Sequence, residues 1–207
     1  MGTMARRPLL LLALLALAGP VLASETGLTG GEGHPRARLP LAVWAPPLGD
    51  APLDAAVRRA VGDWNALARA TLGLEAFAWA GRREDAQVTL ALGAAPSPKL
   101  MGETDVRSDA AGVITPPVRI AVYELRARGQ TSRETLFYQI VAHELGHALG
   151  LVHSRDPRSL MCCVPGSVDF EDPAARAAYV EARRRPDVRS VRGELAEHYA
   201  RFWRPRD

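Results

Sequence analysis

One short run constrains the fold of this chain more than any other feature of its sequence. Residues 143–153 read His-Glu-Leu-Gly-His-Ala-Leu-Gly-Leu-Val-His. Histidines four residues apart on a helix lie on one face, one turn apart, so His143 and His147 present two imidazole nitrogens to one cation. Gly150 accepts the left-handed backbone that ends a helix sharply, and the turn then brings back His153 as a third ligand. The run therefore predicts a helix, a tight turn and a returning segment.

Three histidines with one open coordination position are typical of a catalytic zinc site, whereas structural zinc sites are closed by four protein ligands. Glu144 follows His143 directly, and its carboxylate reaches a water molecule at the metal without needing to be a ligand. A lone His-Glu-x-x-His occurs on many helices by accident, but the added glycine and third histidine make chance a poor explanation. The other two histidines, His34 and His198, are expected to be solvated.

The N-terminal residues are typical of a secretory signal. Arg6 and Arg7 precede an apolar run over residues 8–18, and small residues at 21–23 provide a cleavage site, which we place near Ala23. The apolar run is short for a membrane span, and an uncleaved membrane anchor is the alternative. No later stretch is apolar enough to cross a bilayer, so we expect an exported chain, periplasmic or extracellular, without a transmembrane segment after signal removal.

Composition then excludes several classes of protein. The chain is 47% hydrophobic and 24% charged, which suits a globular domain rather than a disordered chain. Two cysteines exclude a disulfide-rich scaffold and a four-cysteine zinc site. The net charge of +3 falls to +1 once Arg6 and Arg7 leave with the signal, since 24 basic residues then face 23 acidic ones. A nucleic-acid partner is therefore not expected.

Apolar periodicity predicts helices and strands mixed in one domain. Apolar residues three and four positions apart predict a helix over 53–67, and Thr131 with Glu134 has the spacing of a capping box for the helix of the histidine run. Asp172-Pro173 is typical of a further helix start, and residues 188–203 of a last helix. Alternating or short apolar runs predict strands at 39–44, 74–79, 87–92, 100–106 and 118–125. The order indicates an α+β fold.

The run His-Glu-x-x-His-x-x-Gly-x-x-His followed by Met161 resembles the metzincin metallopeptidases. Ser154, Asp156-Pro157 and Ser159-Leu160-Met161 are most similar to the matrixin branch, and the resemblance covers about residues 38–180. It implies a zincin-like twisted mixed β-sheet, mostly parallel with one antiparallel edge strand, with three main helices and a C-terminal helical extension. It also implies that Met161 forms the Met-turn, a hydrophobic floor beneath the zinc ligands.

The same resemblance implies a secreted zinc-dependent endopeptidase with a peptide or protein substrate. One catalytic zinc is held by His143, His147 and His153, and it lowers the pKa of its water to about 7. Glu144 takes the proton and then delivers it to the leaving amine. The substrate lies extended along an edge strand, assigned by position to residues 100–106. The wall of the substrate pocket is formed by the segment after the Met-turn, which comprises Cys162, Cys163, Val164 and Pro165.

Composition and the resemblance together divide the chain into a signal peptide (1–23), a flexible lead-in (24–37), a zinc metallopeptidase domain (38–173) and an Arg-rich helical extension (174–207) packed on the domain or continuing it. No cysteine precedes Cys162, so the propeptide cysteine that blocks zinc in many matrixins is absent. No histidine lies between His34 and His143, so a second, structural zinc is not expected. Calcium is compatible with the loop acids, although no ligand spacing identifies a site.

Several alternatives stay open at this stage. The chain is also compatible with an exported zinc-binding protein of the same fold that lacks peptidase activity and serves as a binding module. A zinc hydrolase acting on a non-peptide amide is a further alternative. Cys162 and Cys163 are compatible with two thiols, a disulfide between adjacent residues or an intermolecular bridge. The Arg-rich extension, densest at residues 183–185, is compatible with a solvated helix or with a patch for an acidic partner.

Overall fold

The computed structural model describes residues 22–94, 96–97, 100–123 and 131–205. Within them lie six strands and four α-helices. The strands are β1 (Leu22–Thr26), β2 (Leu41–Trp44), β3 (Phe77–Trp79), β4 (Val88–Gly93), β5 (Leu100–Asp105) and β6 (Val118–Tyr123). The helices are α1 (Ala51–Leu72), α2 (Arg133–Ala148), α3 (Pro173–Arg184) and α4 (Arg192–Phe202). Short 3-10 turns occupy Arg36–Arg38, Arg83–Asp85 and Val188–Val191.

The strands form one sheet in the order β1-β5-β6-β4-β2-β3. The pair β5–β6 is antiparallel, and the other neighbouring pairs are parallel. In the described chain, strands β3 to β6 follow one another with no α-helix between them, and α2 to α4 come after them. The structure therefore confirms the predicted α+β fold, with a mostly parallel mixed sheet. The strand predicted over 100–106 is also confirmed, as β5, and it is the strand that pairs antiparallel.

The outer side of β5 differs from the prediction. We expected residues 100–106 to form the free edge of the sheet, but β1 pairs with β5 in parallel, from Leu22 opposite Leu100 to Thr26 opposite Asp105. An exposed edge presents unpaired backbone N–H and C=O groups, and an extended segment that reaches them satisfies them. In this chain the edge of β5 is therefore covered along residues 22–26.

Helix α1 spans Ala51–Leu72, so it extends beyond the predicted 53–67 at both ends. Asp50 caps its start by accepting a hydrogen bond from the Leu53 backbone N–H at 3.3 Å. Gly73 ends it in the left-handed conformation with a φ of 73°. The fully buried Trp64 donates its indole N–H to the Ala142 carbonyl at 2.8 Å, which ties α1 to α2.

Helix α2 is buried along most of its length, because it lies between the sheet and α1. The residues from Leu136 to Ala148 are buried. Its start corrects the predicted capping box at Thr131. Ser132 is the N-cap, and its hydroxyl accepts a hydrogen bond from the Thr135 backbone N–H at 3.2 Å. A helix enclosed on several sides is hydrophobic around its circumference, so its polar residues are few and each needs a partner.

The C-terminal helices pack onto the rest of the chain. Helix α3 begins as predicted, with Asp172 accepting from the Ala174 backbone N–H at 2.9 Å. Helix α4 buries Leu195 and Tyr199 completely in the main core. The Tyr199 hydroxyl donates to the Leu149 carbonyl at 3.1 Å, beyond the last residue of α2. The extension therefore satisfies a carbonyl that the end of α2 leaves without a helical partner.

The prediction that His34 and His198 are solvated is wrong. Their side chains are 0% and 5% exposed. His34 Nε2 donates to the Ala148 carbonyl at 2.9 Å, and the Trp203 indole donates to the His34 carbonyl at 2.9 Å. Part of the segment predicted as a flexible lead-in is therefore buried between the end of α2 and α4.

Because these two imidazoles are buried, we expect the free energy of unfolding to fall in acid. Burial, helped by Arg38 for His34 and by Arg201 for His198, lowers both pKa values from 6.5 to about 4, although Glu32 partly opposes this at His198. The unfolded chain therefore binds more protons between pH 6.5 and 4, so the free energy of unfolding falls as pH falls through that window. Each histidine contributes a loss of about 3 kcal/mol at most.

Urea unfolding of the chelator-treated protein at pH 7 and 4.5 measures this loss, in the parent and in His198→Gln. The variant is expected to lose less stability on acidification, by roughly the share of one histidine. The comparison isolates His198, because it is the one residue that differs between the two proteins. Equal losses in the two proteins would contradict the assignment.

The predicted signal peptide lies outside the described residues, apart from Leu22 and Ala23 in β1. A search of the described helices for one with the length and apolarity to cross a membrane finds none.

Candidate metal centre

The three histidines of the 143–153 run meet at one point. One ring nitrogen from each of His143, His147 and His153 lies within 4.8 Å of the other two. His143 Nε2 lies 3.0 Å from His147 Nε2 and 3.2 Å from His153 Nε2. Three nitrogens bound to one tetrahedral zinc at 2.0–2.1 Å are about 3.3 Å apart. The spacing of the three imidazoles thus fits a single zinc ion.

The second nitrogens of two of these rings fix which atom is available to a metal. His143 Nδ1 donates to the Leu160 carbonyl at 2.8 Å, and His147 Nδ1 donates to the Leu151 carbonyl at 2.7 Å. Since each neutral imidazole then carries its lone pair on Nε2, the two Nε2 atoms face each other as acceptors. Two acceptors at 3.0 Å repel unless a cation lies between them. The donor set therefore fits a metal ion.

Burial favours the neutral form of the His143 imidazole. The His143 side chain is 4% exposed, and burial lowers the pKa of its imidazole well below the usual value of 6.5, with His147 and His153 as further causes. A metal ligand must be unprotonated, so a lowered pKa leaves the nitrogen ready to bind over a wide pH range.

The turn after α2 forms as the sequence predicts. Gly150 has a φ of 89°, and its N–H donates to the His147 carbonyl at 2.9 Å. The Leu151 N–H donates to the Gly146 carbonyl at 3.1 Å, which closes the turn and sends the chain toward His153. A side chain at position 150 would collide with the Glu32 backbone carbonyl. Glycine is thus required here both by backbone conformation and by space.

Met161 lies beneath the helix that carries the first two histidines. Its side chain is fully buried, and a Cβ added to Gly146 would collide with its sulfur. The preceding residue, Leu160, supplies the carbonyl that orients His143. The Met161 segment therefore both underlies the helix and holds one imidazole in place.

The residues predicted for the substrate pocket come directly after Met161 in the chain. Cys162 and Cys163 are joined in a disulfide, which was one of the alternatives left open by the sequence. Cys162 is buried with Val168 and Tyr179, and its carbonyl accepts a hydrogen bond from Arg183 Nη2 at 2.9 Å. Val164 is half-buried and donates its N–H to the Ser154 carbonyl at 3.1 Å, whereas Pro165 is exposed. The segment is thus fixed beside the strand-like return that follows His153.

Other arginines of the extension lie away from this segment. Arg184, Arg185, Arg189 and Arg192 line a cavity of about 930 Å³ together with Arg59 of α1. The three histidines are not among the lining residues of this cavity. The arginine-lined cavity is therefore distinct from the metal centre.

Glu144 is fully buried on α2, with Thr104 and Gly102 of β5 against its carboxylate. The sequence reasoning did not identify these two residues as part of the site. A threonine and a glycine two residues apart in a predicted strand carry no signal of their own, because only the packing of β5 on α2 gives them a neighbour. Glu144 itself lies next to His143, as predicted.

The matrixin family model, Peptidase_M10, matches residues 45–170 of the chain. The matched span covers more than half of the sequence and includes the three histidines, Glu144 and Met161. A search of curated proteins finds no match to the chain.

Proposed function

This chain belongs to the matrixin family, and on that premise we propose that it is an exported zinc-dependent endopeptidase. The observation that carries the proposal is the convergence of the three Nε2 atoms next to a buried glutamate on the same helix. A binding module needs the metal ligands, but it has no need of a carboxylate in that position.

Zinc is the metal that suits these ligands. His143, His147 and His153 would hold it through Nε2, with the first two rings oriented by the carbonyls of Leu160 and Leu151. Three protein ligands leave a coordination position open for chemistry. When bound, zinc polarises a peptide carbonyl and makes a water molecule acidic enough to lose its proton near neutral pH.

Glu144 would act as the general base and then as the general acid in this reaction. Its carboxylate accepts a proton from the attacking water and then delivers it to the nitrogen of the leaving amine. The peptide bond breaks between its carbonyl carbon and that nitrogen, so one water is consumed and the two products are an acid and an amine. The fully buried position of Glu144 supports this role, because bulk water does not compete for the proton.

The substrate would bind as an extended strand along β5, adding to the sheet. In the described chain β1 lies on that side of β5. Cleavage of the signal after Ala23 would remove the first two of the five residues of β1. We place the substrate backbone on this edge of β5, which the remaining residues 24–26 would have to leave, with Cys162, Cys163, Val164 and Pro165 beside its side-chain pocket.

Export is part of the proposal. The signal-like residues 1–23 support it, and a peptidase with a disulfide between Cys162 and Cys163 suits an oxidising compartment outside the cytosol. The proposed partners are peptide or protein substrates, and no nucleic acid.

The decisive test is cleavage of a peptide library by the full chain, followed by mass spectrometry. We expect cleavage at internal peptide bonds, loss of cleavage when 1,10-phenanthroline removes the metal, and recovery when one equivalent of zinc is restored. The recovery is the control that separates metal loss from unfolding.

Zinc binding at one ion per chain without cleavage of any peptide would overturn the proposal and favour the binding module of the same fold. Cleavage that persists after complete metal removal would overturn the zinc mechanism. Release of terminal residues alone would overturn the assignment as an endopeptidase.

A further inference from the structure

The carboxylate of Glu144 is held by the strand that faces it. The Thr104 hydroxyl donates to Glu144 Oε2 at 2.6 Å, and both side chains are 0% exposed. This distance lies at the short end of the range for a hydroxyl that donates to an oxygen acceptor. A hydrogen bond between two groups buried from bulk water is strong and costly to lose, because bulk water does not replace the lost partner.

The threonine is a well-suited anchor. A β-branched side chain on a strand has a restricted χ1, so the direction of its hydroxyl is fixed by the backbone of β5. A glutamate has several rotatable bonds between its backbone and its carboxylate, and so it needs an external group to select one orientation. Thr104 supplies that group from a strand that is itself hydrogen-bonded to β6 at Ile120.

Gly102 shapes the other side of the same carboxylate. It lies two residues before Thr104, so both face α2 from one side of β5. A Cβ added to Gly102 would lie 2.5 Å from Glu144 Oε1 and 2.6 Å from Ile140 Cγ2. Such distances are far below van der Waals contact, so a side chain here would displace the carboxylate or the helix.

We propose that Thr104 and Gly102 are positioning residues that fix the Glu144 carboxylate beside the metal ligands, Thr104 by donating a hydrogen bond and Gly102 by leaving space. The proposal rests on the function proposed above for Glu144. Strand β5 would then have two roles. Its edge would bind the substrate backbone, and its face that packs on α2 positions Glu144, the proton acceptor. The distance between substrate and base is then set within one rigid element.

The test of Thr104 compares Thr104→Val, Thr104→Ser and Thr89→Val in the full chain. Valine keeps the shape but removes the donor, serine restores a hydroxyl, and Thr89 is a half-buried threonine of β4 that serves as the matched control. We expect Thr104→Val to lower kcat roughly 10- to 100-fold, as for a misplaced catalytic group, with KM and zinc content near those of the parent. Thr104→Ser should recover most of the loss, and Thr89→Val should lose little.

A second measurement, thermal unfolding, tests the same hydrogen bond without an activity assay. In the chelator-treated full chain, Thr104→Val is expected to lower the Tm by about 2–10 °C, because a buried acceptor loses its donor. The same substitution in a Glu144→Ala background should cost little, since the acceptor is already gone. This coupling is a property of the pair and not of threonine as a packing residue.

Gly102→Ala and Gly93→Ala test whether the Glu144 carboxylate needs the space that Gly102 leaves beside it. Gly93 lies on β4, where an added Cβ meets nothing closer than 3.8 Å, in the ring of Tyr123. We expect Gly102→Ala to lower both Tm and kcat and Gly93→Ala to lower neither by a comparable amount.

The proposal is overturned if Thr104→Val keeps kcat within twofold of the parent, if its effect on Tm is the same with and without Glu144, or if Gly102→Ala behaves like Gly93→Ala. Failure of the proposed function has a different signature. In that case the parent itself cleaves no peptide, while the coupling of Thr104 and Glu144 in Tm persists.

Discussion

Replacing Glu144 with Gln is expected to lower kcat/KM for peptide cleavage by about 10²- to 10⁴-fold, the range that general acid–base catalysis contributes. Glutamine has nearly the shape of glutamate and still accepts the hydrogen bond from Thr104, but it cannot take a proton from water at neutral pH. The three histidines are unchanged, so zinc stoichiometry should stay near one per chain. The loss should fall on kcat more than on KM, because the proton transfer belongs to the transition state.

Steady-state kinetics on one peptide from the library, together with metal analysis, measures this result. Glu134→Gln is a suitable control, because Glu134 is exposed in the first turn of the same helix. It undergoes the same chemical change far along α2 from the histidines, and it should retain activity near that of the parent. Turnover retained in Glu144→Gln at the parental level would show that another group moves the proton.

Replacing Gly150 with Ala is expected to weaken both metal binding and the fold, although all three histidines remain. The φ of 89° is in the left-handed region, where an alanine costs about 1–3 kcal/mol. The added Cβ would also collide with the Glu32 carbonyl and approach His198 Nε2 at 3.0 Å. The turn must shift to relieve these contacts, and His153 moves with it, so the affinity for zinc should fall at least about tenfold, equivalent to about 1.4 kcal/mol.

Gly49→Ala separates the cost of the left-handed backbone from the cost of the collision of the added Cβ. Gly49 has a φ of 70°, but an added Cβ there meets nothing within 4 Å, so it carries the backbone cost without the collision. Zinc competition with a chelator and urea unfolding measure both variants. Gly150→Ala should lose more stability than Gly49→Ala, and it alone should lose zinc affinity. Equal effects would mean that the contacts of Gly150 with Glu32 and His198 do not support the site.

Local features of the site were predictable from the sequence because they depend on nearby residues. The facing of His143 and His147 follows from helix geometry, and the position of His153 follows from a glycine turn three residues before it. The predicted cap at Asp172 likewise acts over a few residues, and the structure has it. The capping residue of α2 was misplaced by one position, since Thr131 and Ser132 are both competent caps and only the backbone selects between them.

The sequence by itself determined that the three histidines of the 143–153 run converge and that helices and strands are mixed in one domain, since each follows from a period or spacing within a short stretch of chain. The mixed sheet was implied by the resemblance to the matrixins. Only the tertiary structure decided which distant groups support that site. Thr104 meets Glu144 across 40 positions, and His34 meets Ala148 across 114. Such contacts leave no periodic signal, because they arise when separate elements pack and bury polar groups that then require partners. For that reason two histidines that look solvated in the sequence prove to be buried, and one of them, His34, hydrogen-bonds to the end of the helix that carries His143 and His147.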